Sequence, residues 1–143
     1  MAYLNWKHET LQQLCLDAFQ KFGFTEENAQ IITDVLLLSD LYGIESHGMQ
    51  RLVRYHKGIE KGMIKIDAEP EVVFETPVSA VIDGHDGMGQ LIGYKAMNIA
   101  INKAKENGVG IVSVRNSNHY GIAGYYAKLA CDEGLIGLSF TNS

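Results

Sequence analysis

The sequence predicts an α/β fold of the α+β kind: a helical amino-terminal layer over residues 1–65, then a mixed sheet with flanking helices over residues 66–143. Three observations carry this. Apolar residues recur three and four apart from Leu11 to Ile59, the spacing of helices with a buried face. Two short β-branched runs follow, Glu71-Val72-Val73-Phe74-Glu75 and Val78-Ser79-Ala80-Val81-Ile82-Asp83, joined through Thr76-Pro77 as an antiparallel hairpin. A third, Ile111-Val112-Ser113-Val114, leads into polar residues and then back to helical spacing. Helices followed by strands place the helices in one layer and the sheet in another, with the boundary between Met63 and Glu69.

In order, the first helix is read from Trp6 to Phe22, with Leu11, Leu14, Cys15, Ala18, Phe19 and Phe22 on one face and Gly23 as its stop. Thr25 opens the second, where Glu26 and Glu27 favour the positive end of the helix dipole. From Ala29 to Leu41 this helix carries little polar surface, which predicts burial on most sides or contact with a second subunit. A third helix runs from Met49 to Lys61 and stops at Gly62. Asp83 to Gln90 is read as a glycine-rich loop before a helix over Gln90 to Glu106. Ile122, Tyr125, Tyr126, Leu129 and Ala130 mark the helix after Gly121, and Gly134 to Phe140 reads as a buried strand ending in Thr141, Asn142 and Ser143. A chain stopping at the exit of a core strand is read as the front part of something longer.

Composition narrows the function classes. With 143 residues and 46% apolar residues the chain has enough material for one packed core. Twelve Lys plus Arg against 17 Asp plus Glu, with no basic run, disfavours nucleic-acid and anionic-membrane partners. No apolar run approaches the ~20 residues of a bilayer span, and the amino terminus lacks the order of a signal peptide, so a soluble cytoplasmic protein is expected. Cys15 and Cys131 each lie in a helical pattern and read as packing residues.

Two stretches bear chemistry. His119 lies at a strand-to-helix junction beside Asn118, Tyr120 and Gly121, a place where a rigid scaffold holds a variable loop. Ser46-His47-Gly48 opens the third helix, and if it forms the first turn, His47 and Arg51 project four apart from one face. Imidazole moves a proton near neutral pH and guanidinium grips a carboxylate with two parallel hydrogen bonds, a pairing suited to an organic acid whose neighbouring oxygen changes protonation. The bland readings stand beside these: a surface loop histidine for His119, a helix cap for Ser46, and for Arg51 a solvated face shared with Arg54, Lys57 and Lys61. Gly84, Gly87 and Gly89 do not give the dinucleotide fingerprint Gly-x-Gly-x-x-Gly, and they follow a hairpin, not the opening strand of a βαβ unit. Asp83, His85, Asp86 and His119 could also be imagined as a metal-dependent hydrolase centre, although their spacing alone does not make a site.

Three ordered motifs, with the closing Thr141-Asn142-Ser143, carry a resemblance: Ser-Asp-Leu-Tyr-Gly-Ile-Glu-Ser-His-Gly-Met-Gln-Arg at 39–51, Asp-Gly-His-Asp-Gly-Met-Gly-Gln at 83–90 and Val-Arg-Asn-Ser-Asn-His-Tyr-Gly at 114–121. The whole chain resembles the amino-terminal part of the malate/L-lactate dehydrogenase family, which is unrelated to the Rossmann-fold lactate dehydrogenases. That resemblance implies hydride exchange between NAD or NADP and a small 2-hydroxy or 2-oxo acid, without a metal, in homodimers whose sites use both subunits. It implies a largely antiparallel, non-Rossmann sheet under a helical layer. Ser46 and His47 match the proton-transfer pair, and His119 matches a histidine that is the acid/base in some members. Arg51 matches the carboxylate holder and Asn118 a neighbouring substrate contact. Ser143, Thr141 and Asn142 match cofactor contacts. Family members are longer, so a non-catalytic dimerisation or binding fragment is the alternative.

Overall fold

The computed structural model describes residues 5–142. Helix α1 spans His8–Lys21 and ends where Gly23 adopts a φ of +106°, open to glycine but strained for other residues. Thr25 caps α2, Glu26–Leu41, by accepting a hydrogen bond from the Asn28 N–H at 3.2 Å. Of the expected apolar face of α1, Cys15 and Phe19 are buried while Leu14 is exposed; Phe19 and Phe24 pack with Ala29, Ile32 and Leu36 of α2, and with Tyr55, Ile64 and Met88 from farther along the chain. Each large side chain buried there contributes about 1.5–3 kcal/mol to the layer.

The third helix differs from its expectation. Two short 3-10 turns, Glu45–His47 and Met49–Arg51, precede α3, which spans Leu52–Glu60. Gly48 lies between the turns in extended conformation, with a ψ of −151°. The cause is tertiary: Asp40, near the end of α2, accepts the Met49 N–H at 2.8 Å, and a Cβ at Gly48 would lie 1.8 Å from Asp40 Oδ1. His47 and Arg51 therefore stand on successive turns and not on one continuous helix face.

Beyond the boundary, β1 (Glu71–Glu75) pairs antiparallel with β2 (Ser79–Gly87), as the hairpin reading requires. Helix α4 (Gly89–Asn107) then carries the chain to β3 (Ile111–Ser117), which pairs parallel with β2, Ser79 opposite Ile111. The sheet order is β1-β2-β3. Ile82, Ile92 and Ala96 form its core with Val112 and Ile99, so α4 covers one face. This parallel crossover corrects one sequence expectation: the glycine-rich stretch sits at the strand-to-helix turn of a βαβ unit, because β2 serves both the hairpin and the crossover. The stretch is also less of a loop than expected, since strand pairing persists to Gly87 opposite Ser117 across a bulge.

At that bulge His85, Asp86 and Asn116 all have positive φ, between 49° and 62°. The nearly buried Asp83 carboxylate holds the strained backbone by accepting from the His85 N–H, Asn116 Nδ2 and Arg115 Nε, each within about 3.0 Å. These donors, the His85 N–H foremost, keep its carboxyl below the usual carboxylate range.

Helix α5 spans Ala123–Asp132. Gly134 to Phe140, expected as a buried strand, makes no strand pairing among the described residues. Its alternation is real, but Ile136, Leu138 and Phe140 point outward at 93%, 68% and 85% exposure, since no described element packs against that row.

The two thiols differ in a testable way. Cys15 is fully buried and burial pushes its thiol up to about 11, whereas Cys131 is exposed. Iodoacetamide under native conditions should label Cys131 and spare Cys15, with both labelled after denaturation, as read by peptide mass. Native labelling of Cys15 at the same rate would contradict this packing.

Candidate active site

The fold brings His47, from the first 3-10 turn, against His119, from the turn between β3 and α5. Their rings stack with centroids 5.2 Å apart and an interplanar angle of 26°. Ser46 Oγ lies 2.9 Å from His47 Nδ1, so this hydroxyl serves the imidazole and does not cap a helix. Arg51 Nε donates to the Ser46 carbonyl, which fixes the guanidinium beside the pair and leaves its Nη end without a protein acceptor among the described residues.

Tyr55, one turn beyond Arg51, completes the arrangement. Its hydroxyl is 2.8 Å from His119 Nδ1. The phenol is buried, and burial pushes it up to about 12, so it stays protonated and donates. The Gly121 N–H also donates to His119 Nδ1, at 3.4 Å, so Nδ1 is an acceptor and the ring proton sits on Nε2, a tautomer assigned from these two hydrogen bonds. Gln90 is fully buried near Tyr55, close enough to favour the ionised phenol, yet its amide makes no hydrogen bond of normal geometry. Sequence patterning missed Tyr55, which reads as one more apolar residue of the third helix. Its position four after Arg51, on the same helical row, was the available signal.

The His119 imidazole is held down to about 4, first by burial and then by the positive fields of Arg51, His47 and Arg54. The neutral ring thus dominates at neutral pH. The unfolded chain, with an ordinary histidine near 6.5, binds more protons between these values, so stability rises with pH across the window. The contribution is fully present above about 6.5 and lost as pH falls towards about 4. It amounts to about 1–3 kcal/mol, since the ring keeps some contact with water. Urea unfolding between pH 4 and 7 should show this slope, and His119→Asn should flatten it. An unchanged slope in the variant would show that other groups cause it.

Asn118 uses its side-chain nitrogen structurally. Nδ2 donates to the carbonyls of Met63, Asp86 and Gly87 at 3.0, 2.7 and 3.0 Å, fastening the segment after α3 to the β2–α4 turn. Thr141 and Asn142 are exposed, with Thr141 Oγ1 bonded to the Asn142 carbonyl at 3.0 Å, and neither meets the histidines among the described residues. Ser143 lies outside the described residues.

A cavity of about 250 Å³ opens beside His119, its wall including Arg54, Tyr55, Lys57, Lys61 and Asn118. His47 and Arg51 are not part of that wall; they join His119 through the stacked rings and the Ser46 carbonyl. A separate hollow of about 330 Å³ lies between α2 and α5, among Asp34, Leu37, Leu41, Tyr125 and Lys128. Of the four residues of the metal-centre reading only two meet: His85 Nδ1 lies 3.5 Å from Asp83 Oδ1, whereas Asp86 pairs with Lys65, His119 is bonded to Tyr55, and Asp83 is held by Arg115 and Asn116. Among the described residues no three His, Cys, Asp or Glu side chains are grouped to hold a metal ion.

The comparisons agree with the motifs. The profile of the malate/L-lactate dehydrogenase family matches residues 6–143. The chain is 50% identical over 141 residues to a malate dehydrogenase of Pyrococcus abyssi, covering 99% of this chain and 39% of that protein. It is 46% identical over 137 residues to an L-sulfolactate dehydrogenase of Methanocaldococcus jannaschii, 96% of this chain and 40% of that protein. The solved malate dehydrogenase of Pyrococcus horikoshii superimposes with a TM-score of 0.91 at 48% identity, over 92% of this chain and 38% of that one. The chain thus spans about two fifths of the length of these relatives. On its motifs, its fold and these matches, the chain belongs to the malate/L-lactate dehydrogenase family.

Proposed function

We propose that the chain is the proton-handling, amino-terminal portion of an NAD(P)-dependent dehydrogenase for a small 2-hydroxy or 2-oxo acid, working as a homodimer in the cytoplasm. The observation that carries this is the His47–His119 stack, with Tyr55 fixing one imidazole and Arg51 anchored beside the other. Family relatives named malate and L-sulfolactate dehydrogenases support the substrate class. Two free thiols suit a reducing compartment. Exposed Leu41, Tyr42 and Ile44, next to the Ser46-His47 turn, suit a subunit contact near the site.

When bound, a nicotinamide supplies or accepts the hydride. A 250 Å³ cavity is too small for a whole dinucleotide, so most of its contacts would lie outside the described residues, with Thr141, Asn142 and Ser143 as this chain's candidates. The chain's own residues then have distinct tasks. Arg51 holds the substrate carboxylate through its free Nη end. As negative charge grows on the carbonyl oxygen, His47 delivers a proton, oriented by Ser46, and the neutral His119 donates a hydrogen bond from Nε2. A histidine held at about 4 carries no extra proton at neutral pH, which supports giving the proton transfer to His47. In the reverse direction the same groups take the proton from the hydroxyl.

The test is to mix the protein with NADH or NADPH and with oxaloacetate or pyruvate, following nicotinamide fluorescence and absorbance. Enhanced fluorescence with substrate-dependent loss of absorbance is expected. If neither cofactor binds while sedimentation shows a dimer, the chain is the assembly fragment and this proposal fails.

A further inference from the structure

We propose that the cavity between α3 and the Asn118-His119 turn is a subsite for a second anionic group, the far acid group of a dianionic 2-oxo or 2-hydroxy acid. The identity of that acid rests on the function proposed above; the anion site itself does not.

Arg54, Lys57 and Lys61 stand three, four and seven apart, so they share one helical face, and all three line the cavity. No carboxylate lines it with them. What sets this trio apart in a chain with 17 acidic and 12 basic residues is that three cations share one concave wall with no acid among them. Of the nine other cations, Lys65, Lys103, Lys105, Lys128 and Arg115 each meet an acid within 3.2 Å, while Lys7, Lys21, Arg51 and Lys95 meet none among the described residues. Among the described residues none of the α3 trio has such a partner.

A solvated helix face is the plain competitor. Two observations weigh against it. Lys57 and Lys61 lie at the end of α3 that the helix dipole favours for cations, but Arg54 sits in the first turn, where the dipole opposes one, and Lys57 three positions on adds like-charge repulsion. The trio also lines a concavity whose remaining wall contains His119 and Tyr55, the same imidazole and phenol that form the candidate active site. The Arg54 charge acts on both. At about 250 Å³ the space suits a small acid or one phosphate group. A substrate whose first carboxylate is held by Arg51 and whose carbonyl meets the histidines would extend its other end here. The Arg54 guanidinium can donate two parallel hydrogen bonds to a carboxylate or sulfonate.

The same chemistry would also suit a phosphoryl group of the dinucleotide, so the experiment separates the two sources. The 15N-labelled protein is titrated with L-malate, L-lactate, inorganic phosphate and NADH, following the Arg54 and His119 resonances. The wild type should bind L-malate at least about tenfold more tightly than L-lactate, with phosphate competing against malate. Arg54→Gln/Lys57→Gln/Lys61→Gln should lower malate affinity to the lactate level and leave lactate unchanged, while Arg54→Lys should keep most of the preference. All three residues are exposed, so the variant should fold, as its amide spectrum will report. Equal affinities for the two acids, or a preference surviving the triple substitution, would overturn the proposal. So would loss of NADH affinity with malate unchanged, which assigns the site to a cofactor phosphate. Malate binding without hydride transfer would sink the dehydrogenase function and spare the subsite. Hydride transfer with no effect of the triple substitution would do the opposite.

Discussion

Replacing His47 with alanine should lower turnover of a 2-oxo acid by NADH about 10²- to 10⁴-fold, the range for loss of a general acid, which is about 3–5 kcal/mol on the barrier. The expectation follows from the contrast between the two stacked rings. His119 accepts a hydrogen bond on Nδ1 from a buried phenol and is held at about 4, so it is neutral and a poor source of a proton. His47 faces a serine hydroxyl at 2.9 Å, which can serve either protonation state by rotating. His119→Asn should cost less, because the amide still offers a hydrogen-bond donor to the developing oxyanion. Steady-state kcat, with cofactor affinity measured separately, checks both. Full turnover in His47→Ala, with inactive His119→Asn, would exchange the two roles. Tyr55→Phe adds an independent reading: burial and the fields of Arg51, His47 and Arg54 persist, so the His119 value should stay near 4 while the ring 15N shifts report the lost donor to Nδ1. A return to about 6.5 would show that the phenol, not burial, holds the ring neutral.

Most helices and strands were legible because their signals are local. The Thr25 cap, the Gly23 stop and the β-branched run at Ile111 depend on residues within one turn or one strand. What failed to be legible depended on distant partners. The run from Ser46 to Arg51 has a sequence fit for a helix start, yet Asp40 draws the Met49 N–H aside and splits it at Gly48. The row Ile136, Leu138, Phe140 alternates as a strand should, but alternation records which face wants burial and not whether anything covers it. The candidate site was legible as residue types, and His47 and His119 do meet. Their junction through Tyr55 was hidden, since periodicity cannot tell a phenol packed as bulk from one whose hydroxyl has a partner 64 positions away. Nor does spacing reveal that Asn118 spends its donors on three backbone carbonyls of two other segments.

Substituting Gly89 with alanine should destabilise the fold by about 3 kcal/mol or more and disturb the site at the same time. Gly89 is the first residue of α4, and its conformation is an ordinary one; the constraint is space. A Cβ there would lie 2.2 Å from the Asn118 carbonyl oxygen and 2.5 Å from that of His119. Both are backbone atoms, so no rotamer change relieves the clash. Either the start of α4 lifts off, exposing Met88 and Gln90, which are now buried, or the 118–119 peptide moves and takes His119 away from Tyr55. The second route predicts that the His119 value rises together with the loss of stability, whereas a purely local loosening of α4 would leave it near 4. Gly124→Ala is the control: nothing lies within 4 Å of its Cβ, and in α5 the change should stabilise by up to about 1 kcal/mol through helix propensity. Urea midpoints at fixed pH compare the three proteins. Equal midpoints for Gly89→Ala and the wild type would mean that the β2–α4 turn does not press against the His119 loop, and the account of how this fold holds its imidazole would fail with it.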